Sequence, residues 1–264
     1  MDENSANASQ ASMMDIAPTV SAVLGLSAPA QAKGRPLAAV RGDLVGVSSM
    51  ALIVTDALGL YAWRLWQEEM PYLRALHRQR SLVLRSVMPS ITPVNFAAMV
   101  TGTDLAGHGV ATYDHDFTCE TLFEVVRNAG GRSAAVGFEG YTGSKLLTRY
   151  ADIDGTTERG SDDNIADTLI EIAEQEKPTF LIAQLGKVDD VFHRYGPSSP
   201  DVVPMLRATD GRLRRMIKVL KPLSYGVMVF SDHGQHDIDE PDTDLRGGHG
   251  SNRDQDCEVP CTWI

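Results

Sequence analysis

From Ala51 onward the chain alternates short apolar runs with longer mixed segments, and this alternation limits the fold more than any other feature. The runs at 51–56, 82–87, 133–137, 179–185, 226–231 and 258–263 are apolar enough to be strands buried on both faces. Between them the pattern predicts helices at about 65–79, 94–101, 120–129, 163–176 and 200–219, with Pro or Gly near several ends. Strands alternating with helices argue for an α/β fold, a mostly parallel central sheet with helices on both faces. At 264 residues and 43% hydrophobic, the chain can bury one large core, so residues 1–264 are expected to form a single domain. Residues 139–160, with Gly140-Tyr-Thr-Gly and Gly155-Thr-Thr-Glu-Arg-Gly, read as a small irregular insertion bordering the site.

Three of the runs lead straight into aspartates: Asp56 ends the first, Asp189 follows the fourth and Asp232 follows the fifth. Ligands of open α/β sheets bind beyond the carboxyl ends of the strands, so these carboxylates converge on one crevice. Histidines join them. His193 lies four residues after Asp189, His233 directly follows Asp232, and His249 sits in a Gly-Gly-His-Gly turn. Carboxylate oxygens plus imidazole nitrogens suit zinc, or manganese or iron in a similar site. A metal site is expected, with enough ligands for two ions.

Composition narrows the partners. The formal charge of -11 argues against a duplex nucleic-acid binder, which needs a basic face. No window reaches the roughly 18 uninterrupted apolar residues of a membrane span. Residues 1–12 are small, polar and acidic, without the basic and apolar regions of a secretory signal. Cys119, Cys257 and Cys261 lack the paired spacing of a disulfide framework, and the last two read as buried thiols rather than ligands. A soluble cytoplasmic protein is expected. Nothing in the sequence marks an oligomeric interface.

The segment from Met88 to Gly102 follows a strand and precedes a short helix, which places Thr92 near a helix N-terminus, where backbone N–H groups can hold an anion. A threonine hydroxyl is a weak nucleophile at neutral pH, and metal coordination favours its alkoxide. Ser and Thr are also common helix caps, so the local sequence leaves both roles open.

These residues also carry a family resemblance. Thr92-Pro-Val-Asn-Phe-Ala-Ala-Met-Val-Thr-Gly, with the later His108-Gly-Val, resembles the nucleophile region of the type I phosphodiesterase and nucleotide pyrophosphatase branch of the alkaline phosphatase superfamily. Asp189-Asp-Val-Phe-His193 and Ser231-Asp-His-Gly234 are similar to its two metal motifs, and Gly248-His249-Gly-Ser to its last histidine turn. The resemblance implies an alkaline-phosphatase-like fold with a reduced cap. It implies hydrolysis of a small phosphate ester with two divalent ions, zinc first and manganese as the alternative. One ion would be held by Asp189, His193 and His249, with Asp190 as the alternative to Asp189. The other would be held by Asp56, Asp232 and His233, with Thr92 reaching it as the nucleophile. Phosphodiesters or nucleotide pyrophosphates are the substrates implied first. Phosphomonoesters, phosphonates and sulfate esters are alternatives within the superfamily, and a metal-binding scaffold without turnover is the alternative outside catalysis.

Two departures from the family pattern stand out. Residues 13–36, including Met14-Asp-Ile-Ala-Pro-Thr-Val-Ser-Ala-Val-Leu-Gly-Leu, resemble the helix and loop that usually close this domain, and here they come first. A circular permutation accounts for that order, with a helix starting near Asp15 and with residues 13 and 264 expected to be near neighbours. The second departure concerns the phosphate-binding asparagine that the family carries some twenty residues after the nucleophile. The matching stretch, Ala111-Thr-Tyr-Asp-His-Asp116, has none, which leaves Thr112 or Tyr113 to donate.

Overall fold

The structure, a computed structural model, describes residues 10–239 and 244–264. Among the described residues nine strands form: β1 Ser49–Thr55, β2 Ser81–Arg85, β3 Ser133–Phe138, β4 Ile153–Thr157, β5 Phe180–Leu185, β6 Tyr225–Phe230, β7 His236–Asp237, β8 Gly247–Gly248 and β9 Glu258–Trp263. Seven build the main sheet in the order β2-β9-β6-β1-β5-β3-β4, and β7 pairs with β8 in a small ribbon. β1 runs parallel to both β5 and β6, and β9 is antiparallel to its neighbours β2 and β6. The mostly parallel sheet is therefore the one expected.

Alternation within the strands divides the core. Met50, Leu52 and Val54 of β1 face one apolar cluster, while Ala51 and Ile53 face another. Helices Ile16–Val23, Thr92–Thr101 and Leu122–Asn128 cover the first face. Leu60–Trp66, Pro71–Gln79, Asp162–Gln175, Lys187–Tyr195 and Val203–Leu220 cover the second. Among the described residues no helix is long and apolar enough to cross a membrane.

Three local readings are corrected. The segment expected as one helix over 65–79 is two, because Pro71 lacks an N–H to continue the first and presets the opening turn of the second. Residues 139–160 are not simply an irregular insertion: they contain β4, the edge strand beside β3. Lys187–Tyr195 is a helix where the apolar pattern gave none.

The second helix of the split pair is capped from outside. Asp210, on Val203–Leu220, accepts N–H bonds from Tyr72 at 3.0 Å and Leu73 at 2.8 Å. Asp210→Ala is expected to lower stability by about 1–2 kcal/mol, the usual cost of a lost cap, as measured by urea unfolding.

The N-terminal segment braces the helix that begins at Thr92. Ser12 and Asp15 form a capping box, and the helix Ile16–Val23 follows as expected. Further on, the N–H groups of Lys33 and Gly34 donate to the carbonyl of Gly102, at the C-terminus of Thr92–Thr101. Residues 13 and 264 are not neighbours. Ser12 pairs with Arg85, which pairs with Glu258 at the start of β9, whereas Ile264 lies past the other end of that strand. Their separation is about the length of β9, on the order of 20 Å at the usual strand rise.

Candidate metal centre and active site

The central strands β6, β1 and β5 bring their carboxyl ends together, and each leads into part of one cluster. Asp56 is the first residue after β1, and Asp232 and His233 lie just after β6. Asp189 and His193 lie one turn apart on one face of Lys187–Tyr195, with His193 Nε2 at 3.4 Å from Asp189 Oδ2. His249 enters from the turn after β8, its Nε2 3.7 Å from Asp189 Oδ1.

Two groups of three result: Asp189, His193 and His249, and Asp56, Asp232 and His233. Within each, the potential ligand atoms all lie within 4.8 Å of one another. In the second group His233 Nε2 is 3.6 Å from Asp56 Oδ1 and 3.4 Å from Asp232 Oδ2. The groups adjoin, since the rings of His233 and His249 stack with centroids 4.1 Å apart. Asp190 points elsewhere, accepting bonds from the Tyr141 hydroxyl and the Lys187 ammonium.

Thr92 meets the buried group. Ile91 is the N-cap of Thr92–Thr101 and Thr92 is its first helical residue, so the hydroxyl is not a cap. Its Oγ1 lies 3.1 Å from His233 Nε2 instead. All seven residues singled out in the sequence therefore come to one place.

The chemistry of these donors fits cations. The Nδ1 atoms of His193, His233 and His249 face the carbonyls of Gly247, Gly234 and Ser90 at 2.9, 3.1 and 3.2 Å. A carbonyl can only accept, so each Nδ1 carries the proton and each Nε2 turns a lone pair toward carboxylates. Asp56 Oδ1 and Asp232 Oδ2 are buried without a hydrogen-bond partner. Leaving such an atom unsatisfied costs about 1–3 kcal/mol, more when it is charged. Burial, then the charges of Asp232 and Asp189, pushes the Asp56 carboxyl well up from its ordinary range. Burial likewise lifts Asp232 to about 6. Burial and then neighbouring His233 push His249 down to about 4, and burial lowers His233, so these two imidazoles are neutral. Opposed lone pairs and repelling carboxylates are what a divalent ion in each group relieves.

Several supporting residues escaped the sequence reading. Gln184, on β5, donates to Asp56 Oδ2 at 2.6 Å, and Gln235 donates to Asp189 Oδ1 at 2.6 Å. Buried Asp256 takes the Ser251 hydroxyl and N–H on one oxygen and faces His236 Nδ1 with the other, fixing the turn that carries His249. A polar Gln184 near the end of an otherwise apolar strand was a legible signal; Asp256 offered none.

Asp162 sets the approach to Asp189. Fully buried, it accepts N–H bonds from Gly186 at 3.1 Å and Lys187 at 3.2 Å, at the entry to Lys187–Tyr195. Burial pushes its pKa up to about 6 against the pull of Arg212. With the folded value above the unfolded one, stability falls as pH rises from about 4 to about 6, by roughly 3 kcal/mol at 1.36 kcal/mol per unit. Asp162→Asn is expected to flatten that part of the urea-unfolding profile of chelator-treated protein between pH 4 and 7. The variant should also weaken metal retention by the Asp189 group.

The cluster opens into a small crevice of about 280 Å³ lined by Asp56, Thr92, Tyr113, Tyr141, Arg159 and Gln184 among others. Tyr113 lines it and Thr112 does not.

Residues 50–247 match the model of the type I phosphodiesterase / nucleotide pyrophosphatase family. The chain belongs to that family. Its fold is also found in solved structures of low sequence identity. Phosphonoacetate hydrolase from Sinorhizobium meliloti 1021, solved with phosphonoacetate, superposes with a TM-score of 0.60 at 18% identity, covering 74% of this chain and 59% of that one. Murine ectonucleotide pyrophosphatase / phosphodiesterase 5 gives a TM-score of 0.60 at 19% identity, covering 73% and 58%. The C-terminal periplasmic domain of EcEptC from Escherichia coli gives 0.57 at 17% identity, covering 82% and 72%. The chain thus spans less than two thirds of the first two structures. No curated protein matches it.

Proposed function

We propose that this family member is a metal-dependent hydrolase of phosphodiesters or nucleotide pyrophosphates, with Thr92 as nucleophile and two divalent ions. The observation that carries this is the Thr92 hydroxyl set 3.1 Å from His233, beside two adjoining Asp/His groups and at the floor of a crevice. Asp189, His193 and His249 would hold one ion, and Asp56, Asp232 and His233 the other. Zinc is the ion we favour, with manganese as the alternative, since both bind these groups. Bound there, the ions supply charge neutralisation for the transferring group and lower the pKa of the threonine hydroxyl.

The residues then act in two displacements. Thr92 Oγ1 gives up its proton to solvent and bonds to phosphorus as the bond to the leaving oxygen breaks, and the departing alcohol or phosphate takes up a proton in turn. Water next attacks phosphorus, the bond to Thr92 Oγ1 breaks, and the hydroxyl is restored. Tyr113 replaces the family asparagine as donor to a phosphoryl oxygen. Ser86, Ser90 and Asn95 hold the strand-to-helix connection in place: Asn95 accepts the Val87 N–H at 2.8 Å and Ser90 donates to the Ser251 carbonyl at 2.7 Å.

A small phosphate ester fits the crevice, and no duplex partner is proposed. Three free cysteines, two of them buried, favour a reducing, cytoplasmic setting. Motif order is the ground for a circular permutation, and the distance between residues 13 and 264 counts against it, since an unpermuted relative would need a connector about as long as β9.

The test is metal content of the purified protein, together with turnover of bis-p-nitrophenyl phosphate and p-nitrophenyl phosphate under added zinc or manganese. About two ions per chain and preference for the diester are expected from a two-ion phosphodiesterase site. Preference for the monoester would move the substrate to phosphomonoesters. A protein that binds no ion and turns over neither compound would be a scaffold.

A further inference from the structure

One cation in the crevice is built into place and has no counter-charge among the described residues. Arg159 follows β4, and its Nε donates to the Glu139 carbonyl at 2.9 Å. Its guanidinium lies over the Tyr141 ring, 5.3 Å from the centroid. That ring is itself fixed, since the Tyr141 hydroxyl bonds both oxygens of Asp190 and the ring meets Phe138 edge-on at 5.5 Å. Gly140 completes the seat. Its φ of +85° suits glycine, and a Cβ there would lie 2.6 Å from Arg159 Nη2.

The other cations beside these rings are neutralised: Lys187 pairs with Asp190 at 2.8 Å and Lys145 with Asp114 at 3.9 Å. Among the described residues Arg159 has no ion pair and both its Nη atoms are uncommitted. It lines the crevice with Thr92, Asp56 and Asp189. A planar, stacked guanidinium with two unused nitrogens matches a carboxylate or phosphate by a forked pair of hydrogen bonds.

We infer that Arg159 is a specificity-determining residue that binds a second anionic group of the substrate, separate from the phosphoryl group that reacts at Thr92. This deepens the hydrolase reading and rests on it. The preferred substrate class is then a phosphate or phosphonate compound bearing another carboxylate or phosphate near the scissile bond, in preference to an ester with neutral arms. The resident net charge of -11 makes a dedicated cation more consequential, because the surrounding field opposes such a substrate.

Calorimetric titration of the zinc-loaded protein with methylphosphonate, 3-phosphonopropionate and methylenediphosphonate tests this without requiring turnover. One or both two-anion ligands should bind at least about tenfold tighter than methylphosphonate, and the carboxylate and diphosphonate arms identify which anion is recognised. Arg159→Gln should bring that ratio to about one, with Arg159→Lys in between because it keeps the charge and loses the fork. Arg159 is exposed, so both variants should fold, and an unchanged melting temperature verifies it. The inference is overturned if the parent shows no advantage for two-anion ligands or if Arg159→Gln keeps it. Equal loss for all three ligands also overturns it, since the guanidinium would then serve the reacting phosphoryl group. If the parent binds none of the three, the hydrolase reading fails and this inference falls with it.

Discussion

Thr92→Ala should lose at least about 10³-fold in kcat with the diester while both metal ions stay bound, a loss of roughly 4 kcal/mol in transition-state stabilisation. The expectation follows from position. Thr92 supplies no cap to its helix, because Ile91 occupies that place, and its hydroxyl is spent on His233. Removing the hydroxyl therefore takes little from the fold and everything from a covalent route. Thr92→Ser should recover most of the activity, since it keeps the oxygen and drops only a methyl group. Rapid-quench trapping of a phosphorylated protein in the parent and in Thr92→Ser, and its absence in Thr92→Ala, ties the loss to the nucleophile. A metal-loaded Thr92→Ala protein with the parent rate would falsify the assignment.

The legibility of this fold follows burial. β1, β5 and β6 are buried on both faces and read as continuous apolar runs, so their ends could be placed within a residue or two, and with them Asp56 and Asp232. β4 lies at the sheet edge with Ile153 as its only large apolar residue, which is why Ile153–Thr157 passed for loop. The helix Lys187–Tyr195 buries only Val188 and Phe192, too few for a periodic signal. The four-residue spacing of Asp189 and His193 was the available clue, because it puts two ligands on one helical face.

At the site, the candidate ligands and the candidate nucleophile were legible, and of the groups that hold them only Gln184 was. Asp and His beyond strand ends announce themselves by residue type. Asp162, Gln235 and Asp256 act across long sequence separations, and only the tertiary packing brings them to Gly186, Asp189 and His236. Thr92 shows the same limit from the other side. Its local sequence favoured a cap over a nucleophile, and with Ile91 at the N-cap position the capping role falls away.

The two proposed ion sites should differ in how they empty. Asp56, Asp232 and His233 are almost wholly buried, while the Asp189, His193 and His249 side chains are 17%, 28% and 17% exposed. A chelator reaches the Asp189 group first. Stepwise titration with a competing chelator is therefore expected to remove one ion early and the other late, and activity should fall with the first because, in the proposed mechanism, both ions would flank the reacting group. Stability should fall mainly with the second. Its loss leaves Asp56 and Asp232 facing each other in the interior with unsatisfied oxygens, where burial already pushes both carboxyls up. For an ion held at about a thousand times its dissociation constant, removal costs about 4 kcal/mol. In a domain of this size that is a drop of roughly 8–16 °C in melting temperature. Asp232→Ala should forfeit the late ion and Asp189→Ala the early one, each read by metal analysis after gel filtration. If both ions leave together, or if the early loss carries the whole fall in melting temperature, the buried group is not the tighter site.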